Sequence, residues 1–267
     1  MDVTQNAKLI FEQYQVRKTR AQKTAFLECM RELYPQAKVE EGGLLHNRNL
    51  VIGDVETAEV VLTAHYDSKP LSAGAYDNMS GCIGLLGVAE AFAGKPRRRG
   101  LRLIFCGSEE RGLLGSKAYC AAHEDALSKI ALNVNLDMIG SIMGPFHAVC
   151  TAEERLMHFI EYLSSMSGFS LKTRQDVYSS DSTPFADKGV PAVSFARLAP
   201  RNTATIHNRY DTLDVLSAAQ LAQDIDFIIT FVGAMVNARH FPVKREMPDA
   251  MKDKLDVYLN RKRDRNA

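Results

Sequence analysis

The chain has 267 residues, 46% of them apolar, no tryptophan, and a formal net charge of +1 from 33 Lys and Arg against 32 Asp and Glu. That is apolar material for one full core, and it excludes collagen-like, coiled-coil and disordered architectures. Balanced charge leaves no footprint for a nucleic-acid partner.

The amino terminus has neither a basic n-region nor an apolar h-region, and no uninterrupted apolar run reaches membrane-spanning length. Cys29, Cys82, Cys106, Cys120 and Cys150 are odd in number and contain no C-x-x-C pair, so they read as reduced core residues. The expectation is a cytoplasmic protein of one domain, residues 1–267, with no membrane or nucleic-acid partner.

Residues Thr4 to Leu33 alternate apolar and charged positions at helical spacing and stop before Pro35, predicting one broken helix or two within a lead-in over residues 1–45. Short β patterns follow at Asn49 to Ile52 and Glu59 to Ala64, parted by the turn-prone Gly53-Asp54. Met79 to Ala93 reads as a buried helix whose glycines permit close approach to a sheet. Gly94-Lys95-Pro96 ends it before a strand at Leu101 to Cys106, and Leu113 to Ala122 is the next helix.

Ile130 to Asp137 is an apolar strand pattern, Ala152 to Ser167 an amphipathic helix, and Pro191 to Phe195 a buried strand. Ser217-Ala218-Ala219-Gln220 has capping-box form and opens a helix running to about Ala238. The alternation predicts an α/β fold, a single-domain α/β/α sandwich on a mostly parallel mixed sheet. Residues 249–267 form a basic tail of helical spacing, read as peripheral, with self-association as the sharper alternative.

Three apolar runs end in acidic or imidazole groups: V-V-L-T-A-H-Y-D at 60–67, L-R-L-I-F-C-G-S-E-E at 101–110 and I-A-L-N-V-N-L-D at 130–137. Ligands of open α/β sheets bind beyond the carboxyl ends of the strands, so a metal site is expected there. Asp67 lies where its carboxylate could hold the second ring nitrogen of His65. Asp77 could equally cap the following helix. Glu109 and Glu110, solvated if the loop is bland, would point to opposite sides of an extended backbone. Asp137 ends an alternating apolar run without structural purpose, and His207 precedes a helix that Asp211 or Thr212 could cap.

Taken together, H-Y-D-S at 65–68, A-Y-D-N-M-S-G at 75–81, S-E-E-R-G-L-L-G-S at 108–116, N-L-D-M-I-G at 135–140, S-S-D-S-T-P-F-A-D-K-G-V-P-A at 179–192 and I-H-N-R-Y-D-T at 206–212 closely resemble the zinc aminopeptidases of metallopeptidase family 28. The resemblance spans roughly residues 45 to 240. It implies two zinc ions per chain, with Asp77 bridging, His65 and Asp137 completing one site, and Glu110 and His207 the other. Glu109 would be the general base and Asp67 would orient His65. Ser182 and Ile206 depart from residues common in the family, His and Tyr respectively. Tyr178 lies near the oxyanion donor of some relatives, with a stacked core tyrosine as the alternative.

The implied reaction is release of N-terminal amino acids from peptides with a free N-terminus by a two-zinc bridging-hydroxide mechanism. Met138, Ile139, Phe146 and Phe185 are candidates for an apolar pocket wall, or else core. Arg197, Arg201 and Arg209 could instead recognise a C-terminal carboxylate, making a carboxypeptidase or dipeptidase the second reading. A glutaminyl-cyclase-like acyl transferase with one zinc is the third, disfavoured by the lack of tryptophan. Receptor-like relatives that have lost ligands are disfavoured because all five ligand positions are filled.

Overall fold

The computed structural model describes residues 16–53, 57–198, 200 and 206–261. Helix α1 (Arg20–Leu33) opens on a capping box between Thr19 and Gln22. The rest of the expected lead-in helix, residues 1–15, lies outside the described residues. Strands β1 (Lys38–Gly42), β2 (Asn47–Gly53) and β3 (Ala58–His65) follow. An irregular turn, Ala75–Met79, leads into α2 (Ser80–Phe92), then β4 (Gly100–Cys106), a 3-10 turn at Glu109–Arg111, α3 (Leu114–Ala122) and α4 (Glu124–Leu127). The second half runs β5 (Leu132–Leu136), β6 (Phe146–Thr151), α5 (Glu154–Ser167), β7 (Leu171–Gln175), α6 (Ser182–Asp187), β8 (Ala192–Arg197), α7 (Ala218–Asn237) and α8 (Asp249–Tyr258).

The strands form one sheet in the order β1-β2-β4-β3-β5-β8-β6-β7. Its centre is parallel: β3 pairs with β4 and β5, and β5 with β8. Antiparallel pairings attach the β1-β2 hairpin to β4, and β6 to β8. His65 and Cys106 are register partners, so β3 and β4 end side by side and the loops after β3, β4 and β5 open at the same edge.

Side-chain alternation divides the sheet between two cores. Val60, Leu62 and Ala64 join the larger one with residues of α1, α2, α5 and α7, whereas Val61, Ile104 and Cys106 join Tyr119, Cys120, Leu127 and Phe185 of α3, α4 and α6. The result is the expected sandwich. Close approach of α2 to β5 depends on glycine. A Cβ on Gly81 would sit 2.4 Å from the Leu136 carbonyl oxygen, and one on Gly84 2.8 Å from Leu136 Cδ1.

Helix α7 is long and apolar enough, by length and composition, to cross a bilayer. Its Leu221, Ile225, Phe227, Ile228, Phe231, Val232, Met235 and Val236 are buried in the larger core. Its polar interruption, Asp224, is buried too, accepting from Arg197 Nε at 2.9 Å and from the Gly140 N–H at 2.9 Å. Phe146, Phe195 and Phe231 form a ring cluster with this helix, with centroids 5.6 and 5.3 Å apart.

Candidate metal centre

The loops at the carboxyl edge of the sheet bring every predicted ligand to one place. His65, the last residue of β3, is 1% exposed and sits with Nε2 3.1 Å from Asp77 Oδ1 and 3.6 Å from Asp137 Oδ1. The other Asp77 oxygen, Oδ2, is 3.1 Å from His207 Nε2, which is 3.3 Å from Glu110 Oε2. Two donor groups result: His65 with Glu109 and Asp137, and Asp77 with Glu110 and His207, the ligand atoms within each lying within 4.8 Å of one another. A single Asp77 carboxylate thus faces one imidazole with each oxygen.

The backbone explains this placement. Asn78 ties the Asp77 turn to the end of β5: its Nδ2 donates to the Leu136 carbonyl at 2.9 Å, and its Oδ1 accepts from the Met138 N–H at 3.1 Å. Asp211 fixes the same turn from the other side, accepting from the Tyr76 N–H at 2.7 Å, the Asp77 N–H at 3.3 Å and the Ser72 hydroxyl at 2.9 Å. Buried Arg17 holds the loop between β3 and this turn by donating to the Tyr66 and Gly74 carbonyls.

Glu109 and Glu110 do not lie on extended chain. Ser108 enters the left-handed region (φ 59°) and starts the 3-10 turn, because the chain must leave β4 and reverse into α3. The turn still separates the pair: Glu109 Oε2 is 3.9 Å from His65 Nε2, while Glu110 Oε2 faces His207 and receives Lys69 Nζ at 3.0 Å. Asp67 also acts differently from expectation. The nearer group to His65 Nδ1 is the Asp67 backbone carbonyl, at 3.1 Å, against 3.7 Å for its carboxylate. That carboxylate accepts instead from the Glu109 N–H at 3.0 Å, so Asp67 positions imidazole and Glu109 together.

Burial, reinforced by Asp181, Asp137 and Glu110, pushes the Glu109 carboxyl up to about 9 despite nearby His65. Burial and the charge of Asp77 raise Glu110. Asp77 is lowered, because hydrogen bonds from His207 and His65 overcome the upward pull of burial. His65 is raised against its own burial by Glu109, Asp137 and Asp77, and His207 is raised foremost by its hydrogen bond to Asp77. This crowd of carboxylates needs positive charge. Glu110 Oε1 and Asp137 Oδ1 are buried with no hydrogen-bond partner, free to ligate, and the imidazole-and-carboxylate donor set suits zinc.

A cavity of about 310 Å³ opens onto these groups, lined also by Leu113, Met138, Tyr178, Ser179, Ile206 and Tyr258. Burial, then Asp137, holds the Tyr178 phenol well above its ordinary value, which keeps its hydrogen available for donation. Of the expected pocket wall only Met138 is present. Ile139, Phe146 and Phe185 are wholly buried core, since packing against the helix layers uses their faces. Arg197 is buried and bound to Asp224, Arg209 is exposed and stacked over Tyr210 at 4.8 Å, and Arg201 lies outside the described residues. Ser182 is under the site rather than in it, sharing a hydrogen bond with Ser194 Oγ at 2.9 Å.

Two contributors were not foreseen as such. The sequence offers Asp211 or Thr212 as a helix cap, whereas the partners of Asp211, Tyr76, Asp77 and Ser72, lie far off in the chain. Tyr258, at the end of α8, reaches the cavity and bonds Ser179, so this helix is not peripheral. Met251 and Leu255 anchor that helix, and Arg261 pairs with Asp187 through Nη1 and Nη2 of its guanidinium.

The sequence profile of Peptidase family M28 matches residues 50–232, a span that holds both donor groups, Asp67 and Tyr178. The chain belongs to peptidase family M28. Aminopeptidase YwaD of Bacillus subtilis (strain 168) is 31% identical over 199 residues, covering 70% of this chain and 44% of the relative. The structure of BSAP, a zinc aminopeptidase from Bacillus subtilis, superposes with a TM-score of 0.65 at 26% identity, over 75% of this chain and 52% of that one. A glutaminyl cyclase from an Acidobacteriales bacterium shares the fold, with a TM-score of 0.70 at 21% identity over 86% of this chain and 93% of its own. This M28 chain therefore spans less than half the length of the curated aminopeptidase it matches.

Proposed function

We propose that the chain is a metal-dependent exopeptidase that removes N-terminal amino acids from peptides, with two zinc ions held by His65, Asp77, Glu110, Asp137 and His207. The observation that carries this reading is the Asp77 carboxylate, 3.1 Å from His65 through one oxygen and 3.1 Å from His207 through the other. Zinc bound there supplies a Lewis acid that polarises a carbonyl and acidifies water.

The chain's own residues do the rest. Glu109, whose carboxylate form is favoured once a dication lies beside it, takes a proton from the attacking water and returns it to the departing amine, a role worth about 10²- to 10⁴-fold. Asp67 holds Glu109 in place through the backbone. Tyr178 donates to the scissile carbonyl oxygen as charge develops. Asp137 and the two glutamates favour a free α-ammonium beside the cleaved bond, while Met138, Ile206 and Tyr258 face the first side chain. Arg197, buried and bound to Asp224, gives no support to a carboxypeptidase. Cys82, Cys106, Cys120 and Cys150, buried thiols outside any disulfide, support action in a reducing compartment such as the cytoplasm.

The test is hydrolysis by zinc-loaded protein of aminoacyl-anilides, N-acetylated peptides with a free carboxyl end and N-terminal glutaminyl peptides. Turnover confined to free amines is the expected result. Cleavage of N-blocked peptides from the carboxyl end, or cyclisation of N-terminal glutamine without hydrolysis, would replace this reading.

A further inference from the structure

A second cavity, of about 440 Å³, shares Lys69 and Glu110 with the cavity of the metal centre. Its lining includes the six cations Lys18, Arg20, Lys23, Arg48, Lys69 and Arg111. Of the two carboxylates on its wall, Asp67 accepts from the Glu109 N–H, and Glu110 pairs through Oε2 with Lys69 and His207. Among the described residues, Lys18, Arg20, Lys23, Arg48 and Arg111 make no ion pair; Arg48 donates to Thr24 Oγ1 at 2.9 Å.

Helix α1 adds a second, independent signal. Its first turn contains no acidic residue, yet Lys18, Arg20 and Lys23 crowd its amino-terminal end, where the helix dipole is positive. Like charges at the positive end of a helix oppose one another and the dipole, and an anion in the cavity relieves both. An ammonium group is repelled from the same place.

We propose that this cavity binds a carboxylate on the leaving side of the scissile bond, so that the favoured substrates are short or acidic peptides. The inference rests on cleavage at the metal centre as proposed above. With the α-amine beside Asp137, the chain beyond the cleaved bond passes the Lys69–Glu110 wall that the two cavities share and reaches the cations beyond it. A C-terminal carboxylate or an acidic side chain presents the same chemistry there, and Arg48 and Arg111 offer planar forks that match it.

The test compares three tripeptides, Leu-Gly-Gly as free acid, Leu-Gly-Gly amide and Leu-Glu-Gly amide. Equilibrium binding is measured by calorimetry on zinc-loaded Glu109→Gln protein, and kcat/KM on the parent. At least one of the two anionic peptides should bind tenfold or more tightly than Leu-Gly-Gly amide at about 50 mM salt, with the advantage shrinking at about 0.5 M. A gain confined to the free acid assigns the cavity to the C-terminus, and one confined to the glutamyl amide assigns it to a side chain; either upholds the proposal. Lys23→Gln with Arg111→Gln should abolish the advantage, and Lys23→Arg with Arg111→Lys should retain most of it. Equal affinity for all three peptides, or an advantage untouched by the double Gln substitution, overturns the inference. Failure of the parent to hydrolyse any of them would overturn the exopeptidase reading instead, leaving the binding difference to decide the cavity.

Discussion

Asp211→Asn isolates how the Asp77 turn is held. The Asp211 carboxylate is fully buried and accepts three hydrogen bonds, from Tyr76 N–H, Asp77 N–H and Ser72 Oγ. Asparagine keeps one acceptor oxygen and turns an NH2 group towards at least one backbone N–H, placing donor against donor. Losing one charge-assisted bond and stranding its partner costs about 2–4 kcal/mol. At roughly 2–4 °C per kcal/mol for a chain of this size, the metal-free protein should melt about 5–15 °C lower. Asp77 also loses its backbone anchor, and removal of such supporting hydrogen bonds weakens metal affinity by about 10- to 100-fold. Competition with a chromophoric chelator measures the second effect and thermal unfolding in EDTA the first. Asp214→Asn, on an exposed carboxylate that among the described residues accepts only from Thr212 Oγ1, at 3.3 Å, is the control. Zinc affinity within twofold of the parent in Asp211→Asn would refute the argument that Asp211 positions Asp77.

Glu109→Gln should keep zinc and fold while lowering turnover by about 10²- to 10⁴-fold, whereas Glu110→Gln should lose zinc; similar behaviour in metal analysis and kinetics would break the assignment of base and ligand. Asp224→Ala leaves Arg197 buried beside an empty site and the Gly140 N–H unpaired, and should cost about 3–5 kcal/mol in urea unfolding. A loss below about 1 kcal/mol would show that water or another group replaces the carboxylate readily. Tyr258→Ala should leave zinc content unchanged but shift kcat/KM among aminoacyl-anilides of different size. An unchanged ranking would remove Tyr258 from the substrate cavity.

Three parts of the proposed metal set, His65, the glutamate pair and Asp137, were legible because each stands where an apolar run stops, and carboxyl ends of parallel strands share one edge, whereas Asp77 and His207 rest on the family resemblance. His65, Asp137 and the glutamate pair follow directly from that rule, and the family resemblance added which carboxylate is shared. Aromatic residues near the motifs misled, since adjacency in sequence says nothing about which face of the sheet a side chain occupies: Phe146 and Phe185 point into separate cores. Strands β1 and β7 escaped notice because edge strands are half-exposed and lack an apolar stripe, and buried β6 because a short apolar run carries no periodicity of its own. Asp211 and Tyr258 act through contacts far off in sequence, with Asp211 reaching Tyr76 across 135 residues, and no local pattern encodes such pairs.

Zinc stoichiometry tests the central claim, the sharing of Asp77 between two sites, most directly. Chain reconstituted with excess zinc, freed of unbound metal and assayed by elemental analysis should hold two ions, and Asp77→Asn should hold no more than one and lose turnover. A parent protein with one zinc per chain and full turnover would contradict the account.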